Sequence, residues 1–416
     1  MNAQNAILKQ DSQETQLNML LAMRQVYAKN LDVVAFDPML KKIDGDDGQV
    51  TDADMQSLGV VIAETYASVP AGKGQKAVPC FLRITDNVLE KFDLPLFPKS
   101  QFILELVPSE NASRHATKFK EFFDAGYRIA ITVNTNDVSV IAPYLDFLHI
   151  LKIDFSEMQP QQAADLIAAG KAQGVELHAT NLKSNQDFLT CINLGFNSFS
   201  GDVLGQPLQN ANKKLGNNKV VLFQLMAELQ KEDTSIAEIE RIVLQDPNLT
   251  FKILKIVNSA ALGLSREVNS VSHAIGILGM DQIRRWVSVF LLESDGDKPQ
   301  EIMRTSLVRA RMCELIAELN SEPLPMSFFM VGLLSRLDLI TDIAMSEIVE
   351  QIPLSRDIKA ALVEREGALG KTLKEVEAYE SGDFEALEGL LDLRYYEICY
   401  RHSNAWANRI QGAMAS

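Results

Sequence analysis

DPNLTFKILKIVNSAALGLSREVNSVSHAIGILG, running from Asp246 to Gly279, is the stretch around which the second half of this chain is organised. Asp246 is a strong helix N-cap, and Pro247 falls at the first helical position, where a missing N–H costs nothing. Leu249, Ile253, Ile256 and Ala260 then recur at spacings of four, three and four, which is one apolar face of a helix. Gly263 stands where a left-handed cap is wanted. The pattern predicts a second helix over 271–278, stopped by Gly279, and a third from about Asp281 that buries Ile283, Val287 and Phe290. The stretch contains no catalytic constellation. Asn258 and Ser259 read as packing or locally hydrogen-bonded residues.

Working outward, the pattern is helical almost throughout from Lys219. Helices are predicted at 219–230, 235–244, 247–261, 271–278, 281–292, 299–319, 327–336, 341–349, 355–364, 371–379 and over most of 383–416. Residues 208–218 are rich in Asn, Lys and Gly and read as a linker. Upstream, Gln25–Tyr27 and Val33–Phe36 flank a tight turn. After a helical stretch at 55–68, apolar runs follow at 78–84, 102–106, 129–133, 148–153, 175–178 and 198–199. Helical segments ending at Gly126, Gly174 and Gly195 separate the later runs. This alternation predicts a parallel α/β domain. A barrel fits better than an open sheet, because no dinucleotide fingerprint follows the first strand. The expected domains are 1–207, the linker 208–218, and an all-helical 219–416, with residues 1–15 frayed.

The 416 residues are 47% hydrophobic, enough for two or three cores, and carry a formal net charge of −15. A field of that sign repels phosphate backbones, so no nucleic-acid partner is expected. Lys213–Lys214 and Arg284–Arg285 are too small to make a basic patch. Cys80, Cys191, Cys313 and Cys399 are far apart and in no metal-binding spacing, which predicts buried free thiols. The first residues have no apolar signal core, and no run of about 18 apolar residues occurs. The expectation is a cytoplasmic protein with no membrane insertion.

The stretch DPNLTFKILKIVNSAALG and the VNSVSHAIGILG after it resemble the HDOD family, helical domains related to the HD phosphohydrolases but without their metal ligands. An HD hydrolase needs an adjacent His-Asp pair on a helix lining a metal pocket. At the matching place this chain has Ser335–Arg336, and after residue 219 its only histidines are His273 and His402. Arg336 is expected in an ion pair, with Asp338 or Asp342 as candidate partners, ahead of the alternative that it binds an anion or a partner's carboxylate.

The order of motifs over 20–207 resembles the EAL family, barrel phosphodiesterases that cleave cyclic di-GMP. The matching segments are QVYAKNLDVVAF from Gln25, FILEL from Phe102, GYRIA from Gly126, LKID from Leu151 and LGFNSFSG from Leu194. The resemblance implies a site of carboxylates, an Asn and a Lys around two divalent cations. Here Asp37-Pro38-Met39 stands for the EAL tripeptide, Arg83 for the Asn, and Thr132–Val133 for the acidic pair. Thr180 and Lys183 stand at the late Glu positions. Glu105, Lys152 and Asp154 remain, with Glu105 expected to pair with a cation such as Lys152. His178 reads as a satisfied core residue.

On this inventory the expected protein is a degenerate EAL-type (βα) barrel followed by an all-helical HDOD domain, with no catalytic residue, no metal and no cofactor. The expected function is a non-catalytic bacterial signalling adaptor working through protein contacts, with homodimerisation open. The remnant pocket is Asp37, Arg83, Glu105, Lys152 and Asp154. Arg284 and Arg285 are the candidate partner-facing residues of the helical half. The alternatives are a cyclic di-GMP receptor, with Arg83 and Lys152 meeting its phosphates, or a residual cyclic di-GMP phosphodiesterase.

Overall fold

The computed structural model describes residues 18–43, 57–62, 68–71, 74–84, 98–107, 112–201, 217–229, 234–258, 268, 270–292, 300–352 and 354–415. Residues 1–15, most of the linker, and Ser259, Ala260 and Gly263 of the signature lie outside them.

Strand β1 (Met19–Ala28) and strand β2 (Val33–Lys42) form an antiparallel hairpin, longer at both ends than the sequence pattern indicated. Its turn closes with Ala28 N–H donating to the Asp32 carbonyl at 2.9 Å, and Leu31 adopts a left-handed backbone with φ 64°. Strands β3 (Ser68–Ala71) and β4 (Gly74–Ala77) make a separate two-stranded sheet. The sequence reading placed helix up to residue 68 and no strand here, because PAGKGQKA offers no apolar alternation.

Strands β5 (Cys80–Arg83), β6 (Phe102–Leu106), β7 (Arg128–Val133), β8 (Ile150–Asp154), β9 (Glu176–Thr180) and β10 (Ser198–Phe199) run parallel to β2 and one another. β10 closes antiparallel onto β1, so the barrel order is β1-β10-β9-β8-β7-β6-β5-β2. The expected barrel is present, with β1 as its one reversed strand. Helices Ala112–Asp124, Ala164–Ala172 and Asn185–Asn193 accompany the strands. Gly126 (φ 94°) and Gly195 (φ 87°) follow two of them in left-handed backbone, which a Cβ would strain.

The second half is helical, as expected. Asp246 accepts from Asn248 N at 2.9 Å and Leu249 N at 3.2 Å to cap the helix Pro247–Val257. Leu249, Ile253 and Ile256 are buried along one face. The Asn258 amide exchanges two 2.8 Å hydrogen bonds with the backbone of Val268, clamping the chain that leads to the helix Val271–Leu278. That pair of bonds is the local role expected of Asn258. The long helix Gln300–Leu319 packs on Pro325–Leu334 and Leu393–Ala415. Gly332 permits the first contact: a Cβ there would lie 2.8 Å from the Ala310 Cα. The four cysteines are buried and unpaired, and burial pushes the Cys191 thiol up to about 12.

The two halves share a face. β1 meets β10 only at Tyr27 and Ala28, so among the described residues Met19–Val26 has a ladder edge with no strand beside it. Two tyrosines of the helical half cover it. Tyr379, on the helix Gly367–Ser381, accepts from Leu21 N at 3.2 Å and donates to the Leu21 carbonyl at 3.0 Å. Tyr400, on Leu393–Ala415, accepts from Met23 N at 3.3 Å. Met23 stands opposite Pro38 in the hairpin and turns its N–H outward to that hydroxyl.

Candidate functional site

The period-2 alternation of strands stacks the barrel interior in layers. The lower layer is apolar: Val26, Ala35, Phe81, Ile103, Ala130 and Ile150 form one buried cluster. Two residues further along each strand, toward the open end, the side chains become polar. Stepping from Ala35, Phe81, Ile103, Ala130 and Ile150 gives Asp37, Arg83, Glu105, Thr132 and Lys152, and stepping back along reversed β1 from Val26 gives Arg24.

Lys152 is the centre of that layer, with 1% of its side chain exposed. Its ammonium donates to Asp37 Oδ2 and Glu105 Oε2, both at 2.9 Å, and lies 4.2 Å from the centroid of the Phe81 ring. Burial pulls its pKa down, but the two carboxylates outweigh that and hold it above the ordinary lysine value. Glu105 also accepts from the Thr132 hydroxyl at 2.5 Å and from Arg83 Nη2 at 3.2 Å. Arg83 is the opposite kind of residue: its side chain is 56% exposed at the mouth. Burial lowers its pKa, and the carboxylates of Glu105 and Asp37 more than restore it.

One pleat higher, Asp154 accepts from Asn181 Nδ2 at 2.9 Å and from Ser156 N at 2.8 Å. Asn181 in turn accepts from Arg24 Nη1 at 2.9 Å. Asp154 is thus joined to Arg24, not to Lys152. Arg24 and Asn181 went unnoticed in the sequence reading, although the two-residue step from Val26 would have found Arg24. His178 is fully buried between the hydroxyls of Ser198 (2.9 Å) and Ser200 (3.0 Å). Burial, with Lys152 close by, pushes its pKa well down, so the ring is neutral.

A two-cation phosphodiesterase centre needs carboxylate oxygens free to face metal. Here the Lys152 ammonium stands between Asp37 and Glu105, and Glu105 serves three donors. These side chains do not fit a metal pair. Among the described residues no group of three His, Cys, Asp or Glu is placed to hold a metal ion.

In the helical half, Arg336 pairs with neither Asp338 nor Asp342. Its Nη2 donates to Glu380 at 3.0 Å and its Nη1 to the Thr305 hydroxyl at 3.0 Å. Sequence proximity suggested the wrong carboxylate, because helix packing brings Glu380 in from 44 residues away. Arg284 and Arg285 are 26% and 22% exposed, not free surface side chains. Arg284 bonds the Leu229 carbonyl and Asp281, and Arg285 bonds Glu314.

Residues 216–376 match the family model of the HDOD domain. The closed barrel lies ahead of that match in the chain. It is 24% identical to YuxH of Bacillus subtilis (strain 168), a protein named only as uncharacterized, over 95% of this chain and 100% of YuxH. It is 28% identical to a Vibrio cholerae serotype O1 protein named cyclic di-GMP phosphodiesterase CdgJ, over 81% of this chain and 79% of CdgJ. Among solved structures, the Bacillus subtilis YkuI protein, with an EAL domain in complex with substrate c-di-GMP and calcium, aligns at 12% identity and a TM-score of 0.36. That alignment covers 59% of this chain and 75% of YkuI.

The likeness to a named phosphodiesterase overturns the expectation that this chain is not an enzyme. That expectation was drawn from residue types at positions matched along the sequence. Such an inventory weighs single positions, whereas the likeness spans 81% of this chain. Among the described residues, no helix is long and apolar enough to cross a membrane.

Proposed function

We propose that this chain is a cyclic di-GMP signalling protein, in which the barrel mouth receives the dinucleotide and the helical half docks a protein partner. The observation that carries the first part is Arg83. It is a half-exposed guanidinium at the open end of a barrel, kept charged by Glu105 beneath it. A phosphodiester oxygen is the natural ligand for such a group, and charge-assisted hydrogen bonds of this kind are the strong ones. The likeness to CdgJ supports the choice of dinucleotide. In this reading residues 1–207 sense, 208–218 link and 219–416 transmit.

Titrating the full chain with cyclic di-GMP tests the proposal. Saturable binding is expected, weakened about tenfold or more in Arg83→Ala, since a hydrogen bond to a charged group contributes roughly 1.5–3 kcal/mol. Glu105 keeps Lys152 and Thr132 as donors in that variant, so the barrel should stay folded. No binding, or equal binding by the variant, would remove the dinucleotide from the proposal. A second reading, turnover of the dinucleotide, is favoured by the same relative. It is read in the same titration by following product with Mg²⁺ or Mn²⁺ and with neither.

For docking, the exposed apolar side chain on the signature helix is Phe251, 64% exposed. Aromatic anchors of this kind carry much of the binding energy at protein interfaces. Phe251→Asp in the full chain should abolish capture of partners from the native cell extract while leaving the thermal midpoint unchanged. Undiminished capture would move the docking surface elsewhere.

A further inference from the structure

A cavity of about 40 Å³ lies between β1 and the helical half. Met23 and Gln25 wall it from the barrel. Arg304, Thr305, Val308, Glu380, Tyr400 and Asn404 wall it from three helices, and Arg336 from the turn before a fourth. At about 10–15 Å³ for each water-sized sphere, it has room for a small ion. It is separate from the barrel mouth: none of Asp37, Arg83, Glu105, Lys152 or Asp154 lines it.

The guanidiniums around it are unequally served, and the nearby carboxylate Asp338 acts on Arg309 and Arg365. Arg304 is chelated by Glu301, with contacts of 2.6–3.0 Å, and also donates to Asn404. Arg309 takes Glu380 and Glu377, and Arg365 also takes Glu377. Arg336 is left to share with Arg309 a single oxygen, Oε2 of Glu380. These linked pairs hold four guanidiniums, at 304, 309, 336 and 365, against three carboxylates, at 301, 377 and 380. Burial and the neighbouring Arg309 push Arg336 below its ordinary value, whereas carboxylates hold Arg304 and Arg309 up. Burial works against Glu380, but Arg309 and Arg336 keep it ionised. The group in this wall short of negative charge is therefore Arg336, and it faces the cavity.

We propose that this cavity binds a small tetrahedral oxyanion of the phosphate class on Arg336 and Arg304, with Gln25 of the barrel closing over it. Charge-assisted hydrogen bonds from guanidinium N–H groups to such an ion are among the strong ones. Because the walls come from both halves of the chain, the ion would bridge them. Occupancy would then tighten the barrel against the HDOD domain, since a ligand bound only by the folded, docked form stabilises that form.

Calorimetric titration of the full chain with inorganic phosphate, at ionic strength held constant with sodium chloride, tests this. Saturable one-site binding and a raised thermal midpoint are expected. Arg336→Gln should weaken binding at least tenfold. Gln25→Glu should do the same by placing a carboxylate on the cavity wall, and it serves as the readout if Arg336→Gln fails to fold. A titration with AMP separates a free ion from a phosphate monoester, and the small cavity predicts no AMP binding that depends on Arg336. Absence of saturable phosphate binding would overturn the proposal. So would binding indifferent to both cavity variants.

Discussion

Lys152 carries a charge to the barrel axis and is met there by two carboxylates. A buried ammonium is costly alone, and removing one member of such a cluster leaves the others unpaired. The same layer imposes neutrality on His178, which is buried between two serine hydroxyls with Lys152 near. Its pKa is lowered in the folded state and about 6.5 in the unfolded chain. The stability it permits is therefore complete above pH 6.5 and is lost as pH falls from there toward the folded value, because the unfolded chain takes up the proton first. The slope approaches about 1.4 kcal/mol per pH unit. His178→Gln should flatten the decline of the urea midpoint between pH 7 and pH 5. An unchanged pH profile would mean that His178 titrates normally. His149, also lowered by burial and by Arg128, stays in both proteins and cancels in the comparison.

Among elements, β1 is unusual. It pairs along its length with β2 but touches β10 for only two residues, leaving a bare ladder edge. Bare edges invite pairing with other chains, and proteins cover them. Here two phenols do so, each reaching a backbone group that a neighbouring strand would otherwise satisfy. Tyr379 alone satisfies both the N–H and the carbonyl of Leu21. Tyr379→Phe keeps the ring packing against Tyr396 and Phe384 but strands those two buried groups. A loss of about 1–3 kcal/mol is expected from urea unfolding, the penalty for buried groups left unsatisfied. A loss below about 0.5 kcal/mol would show that water replaces the phenol.

For the whole molecule, the net charge of −15 repels anions at long range, so any anion site must be built from local cations. The barrel mouth and the interface cavity are two such places. The shared face also predicts how the chain unfolds. Proteins of this size commonly unfold domain by domain. Here the β1 edge is completed by the helical half, and Arg304 lies 5.9 Å from the Phe36 ring of the barrel. Both tryptophans, Trp286 and Trp406, belong to the helical half, whereas far-ultraviolet circular dichroism reports both halves. Coincident urea midpoints by the two probes are expected. A dichroism transition that outlasts or precedes the fluorescence change would show that the halves unfold independently.

The sequence by itself determined the elements. Asp246-Pro247 and the spacing of Leu249, Ile253 and Ile256 mark a helix, and short apolar runs between glycine-ended helices mark a parallel barrel, because periodicity and caps are local properties of the chain. The residues named for the barrel mouth came from the resemblance to the EAL family, position by position, and Arg24 was not among them. Their partners were not legible. That Glu105 would hold Lys152, Thr132 and Arg83 together, that Asp154 would turn to Asn181, and that Arg336 would reach Glu380 depend on strand register and helix packing between distant segments. Likewise, Arg284 and Arg285 look like surface charges until the fold brings the Leu229 carbonyl and Glu314 against them. The interface cavity has no local signal at all. It exists because β1 lacks a neighbour and three helices supply one, and only tertiary structure decides what faces a strand's open edge.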